Sequence, residues 1–216
     1  MTYQAVLFDL DGTLLDTLAD LGNTVNRVLA ARGLPTHPLD AYRYFVGEGA
    51  RLLVTRALPE NRRDAATIAA CLAGFQADYD QNWQVETKPY PGVATMLDAL
   101  TARGLKLAVL SNKPHDFTVR CVRELLPRWT FDPVFGLRDT VPRKPDPAGA
   151  LEIAVRLNIP PANFLYLGDT ATDMQTARAA GMFPVGALWG FRSAGELEES
   201  GAQVLVEEPE ELLGLV

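Results

Sequence analysis

Asp9 and Asp11 stand at the end of an apolar run, AVLFDL (residues 5–10), whose composition suits the centre of a β-sheet. A carboxylate in such a place costs several kcal/mol unless it is compensated. Other chemistry-bearing residues recur at the ends of similar runs. Ser111, Asn112 and Lys113 follow KLAVL (106–110), Lys144 lies in VPRKPDP after PVF (133–135), and Gly168, Asp169 and Asp173 follow FLYL (164–167). Asp9 and Asp11, two apart in extended chain, project to one side. Asp169 and Asp173, four apart at a helix start, share a face near its positive end.

Four carboxylates in one crevice repel, and some would take up protons unless a cation were present. A hard divalent ion with oxygen ligands resolves the repulsion, and Mg2+ suits a site with few carboxylates plus phosphate and water. His37 and His115 are isolated and the chain has no Cys/His cluster, so zinc is not indicated. Ser111, the Asn112 amide and the Lys144 ammonium can bind anionic oxygens, and Gly12 lets backbone N–H groups approach a ligand. An anion clamp beside a metal is equipment for phosphoryl transfer, in which a free carboxylate can act as nucleophile. Taken singly, each feature has a structural alternative: a D-x-D turn, Asp169 as a helix cap, Ser111-Asn112 as turn residues, Lys144 as a solvated side chain.

These positions need a scaffold that brings strand ends together. Short apolar runs at 5–10, 106–110, 133–135, 164–167, 184–188 and 203–206 have strand length. Helical patterns at 93–104, 116–126, 146–158 and 170–181 separate them, with Asp116 placed to cap the second. The alternation predicts an α/β fold, a doubly wound parallel sheet of Rossmann type, with ligands beyond the carboxyl ends of the strands. Residues 17–85 differ: 17–33, 50–58 and 63–83 are helix-like and no convincing strand lies among them. They predict an inserted helical domain over one end of the sheet, with residues 1–16 and 86–216 forming the core domain and Pro89 and Pro91 marking the return hinge.

The 216-residue chain is large enough for a core with a modest insertion. Acidic residues outnumber basic ones 27 to 20, for a net charge of −7, which argues against nonspecific binding to nucleic acid or to an anionic membrane. Cys71 and Cys121 lie in helix-like stretches without a CxxC, as packed, reduced thiols would. The N-terminal stretch lacks the pattern of a signal peptide and no run is long enough to span a membrane, so the expected location is cytoplasmic.

DLDGTLLDT, SN at 111–112, RKPDP at 143–147 and GDTATDM at 168–174 resemble, in order, the four motifs of the haloacid dehalogenase (HAD) superfamily of phosphohydrolases. The resemblance covers nearly the whole chain, including the place of the helical cap. It implies that Asp9 is the nucleophile and that Asp11 is the general acid/base, protonating the leaving alkoxide and then activating water against an aspartyl phosphate. It implies that Ser111 and Lys144 hold the transferring phosphoryl group. Asp9, the Asp11 backbone carbonyl and Asp169 would bind Mg2+, with Asp173 direct or through water.

FVGEGARLLVTRALP (45–59) resembles the cap loop of phosphoglycolate phosphatases, as do SNKP at 111–114 and GLP at 33–35. The expected substrate-binding residues are Gly12, Thr13, Asn112, Lys113, Gly49 and Arg51, with Arg51, Arg43 or Lys113 meeting the substrate's remaining charge. Glu48 is compatible with an anionic substrate if it points away or pairs with an arginine. The expected partner is a small phosphorylated metabolite, the chain acting as monomer or homodimer. A phosphatase for sugar phosphates or pyrophosphate and a β-phosphoglucomutase-type phosphomutase share this core. A phospho-accepting signalling module is the alternative from another class, although its acceptor Asp belongs to a later strand and it carries no helical cap.

Overall fold

The computed structural model describes residues 3–216. From the N-terminus, β1 (Ala5–Phe8) leads to the two-residue β2 (Leu15–Asp16), then to helices α1 (Leu18–Ala30), α2 (Ala50–Ala57) and α3 (Ala65–Asn82), and to the two-residue β3 (Lys88–Pro89). Strands and helices then alternate: α4 (Val93–Ala102), β4 (Lys106–Pro114), α5 (His115–Leu125), β5 (Phe131–Leu137), α6 (Ala148–Leu157), β6 (Phe164–Gly168), α7 (Ala171–Ala180), β7 (Phe183–Ala187), α8 (Ala194–Glu199) and β8 (Val204–Val206). The chain divides into two compact units, one comprising the stretch up to Leu15 with Pro89–Val216, the other Asp16–Lys88. Among the described residues no helix is long and apolar enough to cross a membrane.

The first unit is an α/β domain on a six-stranded sheet ordered β5-β4-β1-β6-β7-β8, in which every pairing is parallel. Consecutive strands thus run outward from β1 to one edge and then from β6 to the other. The carboxyl ends of β1 and β6 flank the point where the winding reverses, where doubly wound sheets open a ligand crevice. Ala5, Val6, Leu7 and Phe8 are all fully buried, which explains an apolar run without polar alternation. Ala5 and Leu7 join a core with Leu110, Phe135, Ile153 and Tyr166. Each large apolar side chain so buried contributes about 1.5–3 kcal/mol of transfer free energy. That rigidity fixes where the chain leaves the sheet.

Each expected strand and helix of this unit is present, with informative differences at the ends. β4 runs on through Ser111, Asn112 and Lys113 to Pro114 instead of stopping at Leu110, because its pairing with β5 shifts register and resumes at Pro114–Leu137. Ser111–Lys113 are therefore strand residues with buried side chains, not turn residues. The same extension displaces the expected cap of α5: Pro114 occupies the N-cap position, and Asp116 lies inside the first turn, where its charge still meets the positive end of the helix. Helix α8, capped by the Ser193 side chain on Glu196 N–H, has only six residues and no apolar periodicity to announce it.

The second unit carries α1–α3 and a 3₁₀ segment, Leu39–Tyr44. Arg27 of α1 and Asp78 of α3 pair, with Nε 2.9 Å from Oδ2, and Asp64 caps α3 by accepting from Thr67 N–H at 2.9 Å. Buried Asp20 accepts from the backbone N–H groups of Glu86 and Thr87 at 3.0 and 2.8 Å and from the Thr87 hydroxyl at 2.7 Å. It ties the start of α1 to the end of the unit. His37 contacts the Ala57 carbonyl through Nε2 at 2.7 Å, a local packing role. Both cysteines are free and buried, and burial pushes the Cys121 thiol up to about 11.

Candidate active site

The site is built outward from the tip of β1. Asp9 N–H donates to the Leu167 carbonyl at 3.0 Å, extending the β1–β6 ladder one residue beyond the strand, so the position of its carboxylate is set by the sheet. Lys144 reaches the same point from the loop after β5. Its ammonium donates to the Leu110 carbonyl at 2.9 Å and to Asp173 Oδ1 at 2.7 Å, and lies 2.9 Å from Asp9 Oδ1. Asn112 fixes the backbone behind it: Oδ1 accepts from Lys144 N–H at 3.0 Å and Nδ2 donates to the Lys144 carbonyl at 3.2 Å. The Asn112 side chain, expected to face substrate, thus holds the loop that carries Lys144.

Asp169 and Asp173 enter from the end of β6 and the first turn of α7. Asp173 Oδ2 accepts from both the backbone N–H and the hydroxyl of Thr170, at 3.1 and 2.7 Å, while Oδ1 faces Lys144. Thr170, not Asp169, is the N-cap of α7. Asp169 accepts at Oδ1 from the Thr13 hydroxyl and at Oδ2 from Phe191 N–H, both at 2.9 Å. Trp189 of the same loop donates to the Thr13 carbonyl at 2.9 Å. The Phe191 and Trp189 contacts were not foreseen, because one is made by a backbone amide, which has no sequence signature, and the other accepts at a main-chain carbonyl. Gly12, at φ +91°, has its missing side chain aimed at the Asp169 carboxylate, and a Cβ there would collide with it.

Asp9, Asp169 and Asp173 are all buried, with one oxygen from each lying within 4.8 Å of the others. Burial first, then the neighbouring Asp173 charge, pushes the Asp9 carboxyl up to about 7 against the pull of Lys144. Burial and the Asp9 and Asp173 charges likewise hold Asp169 well above the usual carboxylate range. Burial works against the Lys144 ammonium, and the Asp173 and Asp9 charges overcome it and hold its proton tightly. The buried cluster thus holds three acids, and Lys144 pairs with two of them, Asp9 and Asp173. The one cation within reach of Asp9 Oδ1 among the described residues is the Lys144 ammonium, which it shares with Asp173. An excess of buried anionic charge is what a divalent cation would relieve, and the all-oxygen donor set fits a hard ion. Each of the three is also engaged locally, Asp9 by Lys144, Asp169 by Thr13 and the Phe191 amide, and Asp173 by Lys144 and Thr170.

The remaining expected residues are distributed as follows. Asp11 is partly exposed, in the turn after Asp9, and pairs with Lys113, whose Nζ lies 3.0 and 3.3 Å from its two oxygens. Lys113, expected to meet the substrate's second charge, faces the expected acid/base instead. The Ser111 hydroxyl accepts from Lys113 N–H at 3.2 Å, and Thr13 is spent on Asp169. Gly49 and Arg51 belong to the second unit, where Gly49 is the N-cap of α2 at φ +91° and Arg51 is exposed. In that unit Glu48 pairs with Arg56, and Arg43 with Asp40 at 3.0 Å.

A doubly wound sheet whose first and fourth core strands lead into a buried aspartate triad, met by a lysine from the loop after the third, defines a class of hydrolase. The profile of the haloacid dehalogenase-like hydrolases matches residues 6–187, and the chain belongs to that family. Within it the chain falls in the phosphoglycolate phosphatase-like subgroup. It is 39% identical over 209 residues to a phosphoglycolate phosphatase of Xylella fastidiosa strain 9a5c, covering 95% of this chain and 90% of that one. It is 34% identical over 208 residues to one of Nitrosospira multiformis, covering 94% and 91%. A crystal structure from Lactobacillus delbrueckii subsp. bulgaricus, provisionally assigned as a phosphoglycolate phosphatase, superposes with a TM-score of 0.93 at 33% identity, covering 98% of this chain and 97% of that one. The chain is therefore a phosphatase of the HAD type acting on a small phosphomonoester, with an aspartate triad able to hold a divalent metal.

Proposed function

We propose that this protein hydrolyses 2-phosphoglycolate to glycolate and phosphate through an aspartyl phosphate on Asp9. The observation that carries the reading is the Asp9 carboxylate, held by the sheet at the end of the central strand, with Oδ1 2.9 Å from the Lys144 ammonium and Asp169 and Asp173 close by. A carboxylate fixed there beside a cation that can offset phosphoryl charge is placed to attack phosphorus. Asp9 attacks phosphorus and the bond from phosphorus to the substrate's alcohol oxygen breaks, with Asp11 giving its proton to the departing oxygen. Water, deprotonated by Asp11, then attacks phosphorus, releasing inorganic phosphate and restoring the Asp9 carboxylate. Ser111 and Lys144 bind the phosphoryl oxygens through both steps. Asp9, Asp169 and the Asp11 backbone carbonyl would hold Mg2+, with Asp173 fixing Lys144. The ion, when bound, neutralises charge on the phosphoryl oxygens and the carboxylates.

The choice of 2-phosphoglycolate rests on the two curated relatives, each named a phosphoglycolate phosphatase and aligned over more than nine-tenths of this chain. Gly49 and Arg51 in the helical unit are the candidates for recognising the substrate's carboxylate. The test compares kcat/KM for 2-phosphoglycolate, sugar phosphates and pyrophosphate with Mg2+ present. A preference of tenfold or more for 2-phosphoglycolate is expected; equal or better turnover of a sugar phosphate would remove the substrate assignment. Asp9→Asn should abolish turnover of every substrate, and retained activity would remove the nucleophile.

A further inference from the structure

Lys113 is buried, with 4% of its side chain exposed, and its ammonium divides its distance between both oxygens of Asp11, at 3.0 and 3.3 Å. Few lysines are so enclosed without a specific use, because burial of an ammonium is costly unless a partner compensates. Asp11 needs such a partner for a geometric reason. It lies beyond β1 in a turn closed by Gly12 N–H on the Leu15 carbonyl at 2.9 Å and by the Leu14 and Leu15 N–H groups on the Leu10 carbonyl at 3.1 and 2.9 Å, bonds that order the backbone but do not aim the Asp11 side chain. The sheet that fixes Asp9 therefore does not fix Asp11. Lys113, by contrast, sits in a nine-residue strand, its N–H donates to the Ser111 hydroxyl, and its ammonium lies 5.6 Å from the centre of the Phe117 ring. It is an arm carried on β4 that meets a carboxylate carried on a turn.

We propose that Lys113 is a positioning residue that holds the Asp11 carboxyl in the orientation from which it serves the leaving-group oxygen. This rests on the reading of Asp11 as general acid/base given above and adds the device that aims it. General acid–base catalysis requires the transferring group within hydrogen-bond reach of its target, and a misplacement of about 1 Å can cost on the order of 10²-fold in rate. An arm anchored in β4 also ties Asp11 to the strand that carries Ser111, so the proton-handling group and a phosphoryl-binding hydroxyl share one support.

The consequence depends on the leaving group. A p-nitrophenolate departs with little need of a proton, whereas an alkoxide does not. The experiment measures kcat/KM, which reports the phosphoryl-transfer step, for p-nitrophenyl phosphate, an uncharged alkyl phosphate such as ethyl phosphate, and 2-phosphoglycolate, in the Mg2+-loaded native protein, Lys113→Met and Lys113→Arg. In Lys113→Met both alkyl esters should lose at least tenfold more than p-nitrophenyl phosphate, and Lys113→Arg should recover part of that difference. An equal loss for all three substrates would overturn the proposal, as would a loss confined to 2-phosphoglycolate, which would make Lys113 a ligand of the substrate carboxylate. Circular dichroism of each variant excludes a folding defect as the source of a substrate-selective change. Asp11→Asn assayed alongside separates the two readings: if it too lacks leaving-group selectivity, Asp11 is not the acid, whereas a selective Asp11→Asn with an unselective Lys113→Met removes only the positioning role.

Discussion

Lys144 Nζ lies 2.7 Å from Asp173 Oδ1, with both side chains almost wholly removed from solvent. Asp173 is in turn fixed through its other oxygen by Thr170. The pair therefore aims the ammonium that faces Asp9. Removing one partner of a buried ion pair leaves an uncompensated charge, at a cost of about 3–5 kcal/mol. Lys144→Met in metal-free protein should lose stability of that order, and Lys144→Met/Asp173→Asn should recover part of it. Urea unfolding of the native protein, both single variants and the double variant measures the coupling; strictly additive losses would show that the pair carries no interaction. Phosphatase activity of Lys144→Met should fall by about 10²-fold or more, the scale of losing one charge-stabilising group.

The acids predict how metal-free protein responds to pH. Burial and Asp173 raise the Asp9 carboxyl from 3.8 to about 7, so between those values the folded state binds a proton that the unfolded chain has released. Stability from this group is thus highest below about pH 4 and declines as pH rises through about 7; Asp169, shifted in the same direction, adds to the decline. In excess chelator, Asp9→Asn should therefore be more stable than the native protein, by a margin that grows from about pH 5 to about pH 8. Mg2+ should shrink that margin, since metal binding draws the carboxylates to their ionised form. Thermal midpoints of both proteins across this range, with and without Mg2+, check the sign. A margin that narrowed on raising pH would contradict it.

Much of this arrangement was legible because it follows from local pattern. The unbroken apolar runs at 5–8 and 164–167 announce strands buried on both faces, and the acids and lysine stand at their ends because chemistry on a doubly wound sheet collects there. What the sequence hid is long-range pairing. Nothing near Asn112 says that its amide will be spent on Lys144, or that Lys113 will reach back to Asp11, since both contacts depend on the extension of β4 past Leu110. Asp169 looked like a cap because Asp and Thr compete for that role, and Thr170 wins because Asp173 returns the bond. Asp20, buried in the second unit, carried no motif at all; its meaning lies in the amides of Glu86 and Thr87, far along the chain.

Asp20 makes that last point testable. It accepts from three donors at 2.7–3.1 Å, two backbone N–H groups, of which that of Glu86 reaches both oxygens, and one hydroxyl. Asn at this position keeps the shape but replaces an acceptor oxygen with an NH₂ facing donors. Hydrogen bonds to a charged group are worth about 1.5–3 kcal/mol each, so Asp20→Asn should destabilise the helical unit by about 2 kcal/mol or more. Amide hydrogen exchange at Glu86 and Thr87 should accelerate first, and thermal unfolding should confirm the loss. Unchanged protection at those two amides would show that the segment is held by other contacts.

Gly12 is the position where backbone conformation and metal chemistry meet. Its φ of +91° is strained for any residue with a side chain, and an added Cβ would strike the Asp169 carboxylate and come within 2.8 Å of the Phe191 ring. Relief requires Asp169 to move, and with it the oxygens held by Thr13 and the Phe191 amide. Gly12→Ala should therefore act on two observables. Backbone strain costs about 1–3 kcal/mol, visible as a lower unfolding midpoint in metal-free protein. Displacement of Asp169 should also weaken Mg2+ binding by tenfold or more, measured directly by calorimetry and independently of turnover. An alanine variant that lost stability while binding Mg2+ with native affinity would separate the turn from the metal site and show that Asp169 tolerates the shift.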